Sequence, residues 1–192
     1  MKTSIKTIAA AVIMLLTVAC QKQNAKPNQS LSANDANESV QALVIGQEYQ
    51  GGIIVYIDST GLHGIIASKS DVSIGATWYN GAFGITGATG KNLGTGPYNT
   101  RKIIRAQGDG IYAAKVCANY KPDDIYNDWY LPSKNELTEV YKQKSKIGAG
   151  NYVYWSSTEY DTNAAWGQNF STGGRKKSTK DKIYHVRAVR TF

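Results

Sequence analysis

Cysteine is nearly absent from this chain of 192 residues, which contains only Cys20 and Cys117. So small a number excludes a disulfide-rich scaffold and a zinc site built from cysteines. Long apolar runs are also missing, because the run over residues 8–16 is too short to span a bilayer as a helix. No internal repeat of solenoid period is found. Residues 44–192 remain as a stretch long enough for one domain with a sizeable core.

Recognisable catalytic patterns are missing as well. His63 and His185 stand in strand-like stretches without an evident serine or cysteine partner. Cys117 falls on the apolar face of a predicted helix, where a thiol packs as a small hydrophobic group. No paired-carboxylate, triad or zinc motif is found. We therefore expect a protein that is not an enzyme and has no cofactor; the alternative is a glycosidase built from scattered acids.

Two polar loops are candidate cofactor sites. The Gly-rich segment 75–99 is long enough to be a functional loop. Its Gly90-Lys91 pair fails the P-loop spacing, because Ile85 and Asn92 replace the required glycine and hydroxyl residue. A second loop could bind a cation through oxygen atoms, although such clusters more often make loop and cap contacts. We expect no nucleotide in the Gly-rich segment. We also expect no metal in the second loop, which contains Asp123, Asp124, Asn127 and Asp128.

Residues 1–19 have the pattern of a signal peptide. Lys2 and Lys6 precede the apolar run, and small residues lead up to Cys20. The sequence before Cys20 resembles a bacterial lipobox, which implies that Cys20 is acylated and becomes the first mature residue. Thr17 departs from the leucine that is usual there, and ordinary secretory cleavage nearby is the alternative. Lipid attachment would anchor an otherwise soluble domain to a membrane.

Residues 20–43 have the composition of a flexible tether. They are rich in polar and small residues and have too few bulky apolar side chains to offset the entropy of ordering. The resemblance to bacterial lipoproteins implies outer-membrane retention, because Gln21 and not aspartate follows the cysteine. The acidic export signal of some Bacteroidetes surface lipoproteins is absent after Cys20. We expect a lipid-anchored protein of the cell envelope, on either face of the outer membrane.

Positive charge is concentrated near the C-terminus. The chain carries 22 Lys and Arg against 14 Asp and Glu, a net charge of +8, which falls to +6 without Lys2 and Lys6. Residues 175–192 hold seven cations and one anion, so the rest of the mature chain is neutral overall. Such a local field is typical of an anion-binding surface. The alternative is a solvated loop whose lysines aid solubility.

Residues 128–137 give the strongest structural signal. Trp129 and Leu131 are interpreted as inward-facing residues of an extended segment, which Pro132 ends. Ser133 and Glu136 have the spacing of a capping box that starts an amphipathic helix, expected to end near residue 148. A second helix is predicted over residues 100–120, starting at Thr100, with Gly108 and Gly110 as its weak point.

Apolar periodicity predicts strands on both sides of these helices. A hairpin is expected first, and later strands flank a basic loop over residues 171–182. This order predicts an α+β fold in which two helices pack on a mainly antiparallel sheet with long loops. The predicted strands cover residues 51–57, 62–67, 152–157, 164–170 and 184–190.

The domain also carries a series of short motifs in one order: Gly51-Gly52-Ile53-Ile54, His63-Gly64, Gly94-Thr95-Gly96, Asn99-Thr100, Ala113-Ala114, Asp128 to Ser133, Glu136-Leu137, Trp155 to Glu159, Ala165-Trp166 and Val186 to Arg190. Over most of residues 47–192 they resemble the bacterial family that includes the C-terminal domain of the Legionella collagen-like adhesin and the Fibrobacter major paralogous domain. The resemblance implies a C-type lectin-like domain at residues 44–192. It also implies an extracellular ligand-binding module, with glycan or glycosaminoglycan binding known for some members, but no single ligand.

The segment after Trp155 holds most of the candidate ligand contacts. Trp155 and the hydroxyl residues after it are expected to be core and turn residues, whereas Glu159 could contact a ligand. The resemblance implies that the following region presents the ligand surface, and aromatic faces beside amides and carboxylates suit a carbohydrate. Trp166 could equally be a core residue. The candidates are Tyr160, Asp161, Asn163, Trp166, Gln168 and Asn169.

Arg175, Lys176 and Lys177 add positive charge to this candidate surface. They would suit the sulfate or carboxylate groups of an acidic glycan. Nucleic acid is a weaker candidate, because no nucleic-acid-binding fold signature is present. We therefore expect an envelope module that binds an extracellular glycan. The alternative is a protein-interaction or structural module of a cell-surface or adhesin assembly, with a surface protein as its partner.

Overall fold

The computed structural model describes residues 42–192. The predicted signal peptide 1–19, Cys20 and all of the tether before residue 42 lie outside the described residues. No helix of the described part combines the length and hydrophobicity that a membrane span requires. Its elements are β1 (Glu48–Tyr49), β2 (Gly52–Ile57), β3 (Gly64–Ala67), β4 (Ser73–Ala76), α1 (Gly96–Gln107), α2 (Ala113–Ala118), α3 (Lys134–Lys142), β5 (Val153–Glu159), β6 (Ala164–Asn169), β7 (Arg175–Thr179), β8 (Tyr184–Val186) and β9 (Val189–Thr191).

The strands form two mainly antiparallel sheets. Their strand orders are β1-β2-β3-β9 and β4-β8-β5-β6-β7, and β5 and β8 run parallel. The predicted hairpin is confirmed, since β2 and β3 pair with Ile54 opposite Ile66. The α+β class with antiparallel-dominated sheets is thus confirmed for residues 42–192, but three helices are present where two were expected.

The strand predicted over residues 184–190 is two strands. β8 pairs with β4 and β5, whereas β9 pairs with β3 in the other sheet. The chain crosses between the sheets at Arg187 and Ala188, which are both buried. Arg187 Nη1 donates to the carbonyl of Ser68 at 2.9 Å. A buried, hydrogen-bonded crossing therefore joins the two sheets.

The helix predicted over residues 100–120 is also divided. α1 begins before Thr100 and ends at Gly108, whose φ of 69° lies in the left-handed region that glycine tolerates. α2 follows as a separate short helix. Thr100 is not a cap, because it lies within α1, whose N-cap residue is Thr95. Its Oγ1 accepts a hydrogen bond from Leu131 N at 3.1 Å. The glycines that marked a weak point in the sequence are where the helix breaks.

The segment over residues 128–137 has the predicted structure. Trp129 and Leu131 are buried, and Tyr130 exchanges two backbone hydrogen bonds with Val189 of β9, at 2.8 and 3.0 Å. Ser133 caps α3 with the predicted capping box: Ser133 N donates to Glu136 Oε2 at 2.6 Å, and Glu136 N donates to Ser133 Oγ. α3 ends at Lys142, earlier than expected. The segment therefore joins α3 to the edge of the first sheet.

Two clusters of buried apolar residues form the core. One contains Trp78 and Trp155, whose indole N–H groups donate to carbonyls at 2.8 and 2.9 Å. The other contains Tyr154 and Phe170 and lies under α3. Cys117 belongs to the first cluster, and burial raises the pKa of its thiol well above the ordinary value. Trp155 and Cys117 are therefore packing residues, as predicted.

The Gly-rich segment between β4 and α1 contains no helix or strand. Side chains from other elements hydrogen-bond its backbone; Glu159, for example, accepts from Thr86 N and Gly87 N at 2.8 and 2.9 Å. Three of its apolar side chains, Phe83, Ile85 and Leu93, are exposed, whereas Trp78 and Ala88 are buried in the core. The framework around the loop thus sets its course. The side chains that hold the loop are Asn99, Lys102, Gln107, Ser133, Glu136, Thr158, Glu159 and Lys180.

The basic loop predicted over residues 171–182 contains an edge strand. β7 pairs with β6 along its whole length, with Lys177 opposite Trp166 and Arg175 opposite Gln168. Of its five residues only Ser178 is buried. The apolar alternation that marks a half-buried strand is therefore absent, which explains why the sequence predicted a loop.

A largely buried polar cluster surrounds Asp71. Its Oδ2 lies 2.7 Å from His185 Nδ1 and accepts a hydrogen bond from the Tyr154 hydroxyl at 3.1 Å. Its Oδ1 lies 2.7 Å from Arg187 Nη2. Burial, followed by the charge of Asp71, raises the pKa of Tyr154 to about 12. His185 thus has a structural partner in the fold.

The raised pKa of Tyr154 predicts a loss of stability in alkali. The folded-state pKa lies above the ordinary value of 10.0. The neutral phenol therefore contributes fully to the free energy of unfolding below pH 10.0, and this contribution is lost as the pH rises to about 12. Tyr154→Phe should remove one tyrosinate absorbance step near pH 12 and flatten the pH dependence of the free energy of unfolding there. Persistence of that step in the variant would contradict the assignment.

Candidate ligand-binding surface

The candidate surface lies where β6 and β7 face α3. Directly opposed residues of an antiparallel pair share a face, so Trp166 and Lys177 lie side by side, next to Gln168 and Arg175. α3 packs on this face through Thr138, whose Oγ1 donates to Gln168 Oε1 at 3.2 Å and accepts from Arg175 Nη2 at 3.1 Å. The packing of α3 brings Lys134, its first residue, to the same surface.

Two lysines lie over aromatic rings here. Lys134 Nζ is 3.3 Å from the centroid of the Trp166 ring, and Lys177 Nζ is 3.9 Å from that of Tyr160. The two rings meet edge to face, with centroids 5.6 Å apart. Cation–π attraction favours these positions of the ammonium groups. We refer to Lys134, Tyr160, Trp166, Arg175 and Lys177 as the Trp166 patch.

The Trp166 patch is positively charged and has no neutralising carboxylate. Within residues 42–192, Lys134, Arg175 and Lys177 form no ion pair with Asp or Glu. Burial, followed by the charges of Arg175, Lys91 and Lys177, lowers the pKa of Lys134. An anion bound among these cations would relieve their mutual repulsion. The patch therefore favours an anionic ligand.

Backbone N–H groups at the start of α3 do not contribute to this surface. Lys134 N donates to Thr158 Oγ1 at 3.0 Å, and Asn135 N donates to the Lys91 carbonyl at 3.0 Å. Glu136 N donates to Ser133 Oγ. These donors are satisfied within the fold, so a ligand would be bound by side chains.

The polar candidates around β6 take different places. Asp161 Oδ1 accepts from Asn163 N and Ala164 N at 2.8 and 2.7 Å and shapes an exposed turn next to Tyr160. Asn169 Oδ1 accepts from Ser171 N at 2.8 Å. Gln168 is only 2% exposed and donates to the Gly173 carbonyl at 3.0 Å. Gln168 therefore supports the β6–β7 turn and is corrected from a ligand contact to a structural residue.

Lys176 does not belong to the Trp166 patch. It lies opposite Gly167, on the other face of β7 from Arg175 and Lys177. The three cations form one group in the sequence prediction because residues 171–182 are predicted to be a loop. Their strand geometry separates them.

Glu159 and Lys180 are buried together, which corrects two expectations. Glu159 Oε1 lies 2.7 Å from Lys180 Nζ, and their side chains are 1% and 0% exposed. Lys180 Nζ also donates to the carbonyls of Gly84 and Thr162, at 2.7 and 3.0 Å. Glu159 is thus not a ligand contact, and Lys180 adds no charge to the surface.

Two arginines of the C-terminal stretch are internal as well. Arg187 pairs with Asp71, and Arg190 pairs through Nε and Nη2 with both carboxylate oxygens of Asp128, at 2.6 and 3.1 Å. The positive surface is therefore smaller than the charge count indicates, and Lys134, which the sequence analysis missed, reinforces it. The exposed cations of residues 175–192 are Arg175, Lys176, Lys177 and Lys182.

The acidic loop before Trp129 makes contacts within the fold. Asp123 Oδ1 accepts from Ile125 N and Tyr126 N, at 3.0 and 2.8 Å, and Asp128 is paired with Arg190. Among residues 42–192, no group of three or more His, Cys, Asp or Glu side chains is arranged to hold a metal ion.

Comparison with known proteins gives a family and a structural likeness. Residues 70–190 match the sequence profile described as the Lcl C-terminal domain. The structure is similar to that of a fimbrial protein from Bacteroides ovatus ATCC 8483, with a TM-score of 0.50 and 15% sequence identity. The match covers 72% of this chain and 43% of that chain, so it spans less than half of the fimbrial protein and concerns the fold alone. No curated protein matches the chain.

Proposed function

Because this chain belongs to the Lcl C-terminal domain family, we propose that it is a cell-surface module of the adhesin type whose Trp166 patch binds an acidic extracellular glycan. The observation that carries the proposal is the cluster of Lys134, Arg175 and Lys177 around two aromatic rings, without a carboxylate to neutralise it in the described part of the chain. The likeness in fold to a fimbrial protein supports a surface role.

The geometry of Trp166 favours an acidic sugar over a neutral one. A neutral sugar would stack on an open indole face, but Lys134 Nζ lies over the Trp166 ring at 3.3 Å. That ammonium group is instead available to a sulfate or carboxylate, together with Lys177 over Tyr160. Charge-assisted hydrogen bonds to such groups are about twice as strong as neutral ones. Tyr160, Asp161 and Asn163 are exposed at the rim and supply further polar contacts.

The proposal extends to the architecture and placement of the whole chain. Residues 44–192 form the ligand-binding domain, and two mainly antiparallel sheets with helices packed on them support a C-type lectin-like arrangement. Residues 1–19 act as a signal peptide, and Cys20 carries a lipid that anchors the protein in the outer membrane through the tether 20–43. The module acts by binding, without catalysis. A surface protein that uses the same patch in place of a glycan is the alternative partner.

Substitutions in the Trp166 patch should weaken binding of sulfated oligosaccharides. The triple variant Lys134→Ala, Arg175→Ala, Lys177→Ala removes the clustered cations, and we expect affinity to fall by about 10- to 100-fold, because each charge-assisted contact typically contributes ~1.5–3 kcal/mol before solvent screening. Retention on a heparin column and binding to an array of sulfated and desulfated glycans measure the effect.

The matched control is Lys176→Ala with Lys182→Ala, which removes two exposed cations from the same stretch but outside the patch. It should retain most of the affinity. The patch variant removes three charges and the control two, so an equal loss of affinity per removed charge would show that binding follows net charge and not this site. An array without hits, combined with a surface protein captured through the patch, would replace the glycan by a protein partner.

A further inference from the structure

A second surface is formed by residues that do not belong to the Trp166 patch. There a cleft of about 370 Å³ opens between α1, the end of α2, the segment before Tyr130 and the end of β9. This volume lies within the range of sites that bind small ligands or short segments. Its walls combine apolar groups of Pro97, Ile104 and Trp129 with the polar groups of Arg101 and Thr191.

The edge of β9 is unpaired in this cleft. Val189 exchanges both backbone hydrogen bonds with Tyr130 on the outer side of β9, whereas Phe192 exchanges its bonds with Gly64 on the inner side. Because these directions alternate along a strand, the N–H and C=O groups of Thr191 point outward, as those of Val189 do. Within residues 42–192 neither group of Thr191 has a hydrogen-bond partner. The strand edge is therefore open one pair beyond the Tyr130 bridge.

The cleft also holds a guanidinium group that no carboxylate neutralises. Arg101 is exposed, and it forms no ion pair within the described residues. Asp128 lines the same cleft, but both of its oxygens are bound by Arg190. α1 contributes no acidic residue to the rim. The cleft consequently presents positive charge beside an open strand edge.

We propose that this cleft binds an extended peptide segment of a partner protein, which adds a short strand to β9 at Thr191 and places a carboxylate on Arg101. Strand addition satisfies the open N–H and C=O groups of Thr191, and alternate side chains of the segment enter pockets beside the strand. Trp129 and Ile104 supply the apolar wall for such a side chain. A simple carboxylate would use Arg101 but not the strand edge.

Selection of a random peptide library on the full mature protein tests the proposal. We expect enriched peptides with an acidic residue or a terminal carboxylate next to alternating β-branched residues. Binding of the synthetic peptides, followed by fluorescence polarisation, should weaken about tenfold or more in Arg101→Ala. Arg105→Ala is the matched control, since it removes a cation one helical turn further on α1 that does not line this cleft, and it should change affinity by less than about twofold.

Strand addition is tested by one change in the protein and one change in the peptide. Thr191→Pro removes the open N–H without breaking an existing hydrogen bond, because that group has no partner in the described fold; it should abolish binding while thermal unfolding shows that the domain still folds. If the variant does not fold, methylation of single backbone nitrogens in the peptide serves instead, and methylation at one of two alternating positions should abolish binding.

Four results would overturn the proposal. One is the absence of any enriched peptide. Another is binding that is unaffected by both Arg101→Ala and backbone methylation. The third is equal displacement of the peptide by free acetate, which would reduce the cleft to a simple carboxylate site. Loss of binding in the Trp166 patch variant, but not in Arg101→Ala, would assign the peptides to the other surface and also contradict it.

Discussion

Glu159→Ala should lower the free energy of unfolding by about 3–5 kcal/mol, because it leaves Lys180 charged and buried without its partner. The Lys180 side chain has no exposed fraction. Its remaining contacts are the carbonyl oxygens of Gly84 and Thr162 and the ring of Trp78, whose centroid lies 4.7 Å from Nζ, and none of them carries a negative charge. The same substitution removes the carboxylate that accepts from Thr86 N and Gly87 N, so the Gly-rich loop loses two of its attachments. Urea unfolding at neutral pH, followed by circular dichroism, measures the loss.

An exposed ion pair provides the control for this substitution. Glu48 and Lys69 lie 2.6 Å apart, but their side chains are 68% and 51% exposed, so Glu48→Ala should cost less than about 1 kcal/mol. The double variant Glu159→Leu, Lys180→Met should recover part of the loss, since apolar groups of similar size often replace a buried pair without penalty. If Glu159→Ala is no more destabilising than Glu48→Ala, the pair is not buried as described.

Gly52→Ala is the second substitution with a large expected effect. A Cβ at this position would overlap the carbonyl oxygen of Ala67 and approach Trp129 Cη2 to 2.9 Å. The first obstacle is backbone of β3, which cannot move without disturbing the β2–β3 pairing. We expect a loss at or above the upper end of the ~1–3 kcal/mol that overpacking usually costs. Urea unfolding, with soluble yield as a second measure, follows the effect.

Gly84 offers a matched glycine in open space. No atom lies within 4 Å of a Cβ built there, and its φ is outside the left-handed region. Gly84→Ala should therefore be neutral or stabilise by ~0.4–1 kcal/mol through the unfolded chain. Equal stability of the two alanine variants would mean that Trp129 and β3 do not pack tightly against β2.

Local signals in the sequence predicted the local structure. Ser133 and Glu136 are three residues apart, so their capping box is specified within one helical turn, and Pro132 ends the preceding segment by its own ring geometry. The turn at residues 58–61 likewise lies between two apolar runs that pair directly. The sequence indicates a weak point at Gly108 but not that the helix ends there, because the end of the helix depends on the positive φ that Gly108 adopts.

The sequence could not predict which cations are internal. Arg187 and Arg190 find their carboxylates in Asp71 and Asp128, which come from distant parts of the chain. Lys180 is separated from Glu159 by two complete strands, β6 and β7, and by the turns that precede them. A count of charges assigns all of them to the surface, whereas burial is decided by tertiary packing. The number of cations near the C-terminus is therefore correct, but Lys180, Arg187 and Arg190 lie inside the fold and not on the surface.

The candidate surface was predicted in part for the same reason. The family resemblance indicates the region of Tyr160 and Trp166, whose side-chain types suit a carbohydrate, and charge indicates Arg175 and Lys177. Lys134 precedes them by the rest of α3 and by β5, and it reaches Trp166 only because α3 packs on β6 through Thr138 and Gln168. No pattern within α3 distinguishes Lys134 from a solvated first-turn lysine.

The hydrogen bonds that hold the Gly-rich loop determine which of its residues can be substituted. Its route is determined by side chains of the helices and of β5 that hold its backbone, while Phe83, Ile85 and Leu93 project into solvent and take no part in these bonds. These three residues can therefore be substituted without changing the fold of the domain. New surface chemistry can be acquired there by point substitution alone, on a backbone that is already fixed.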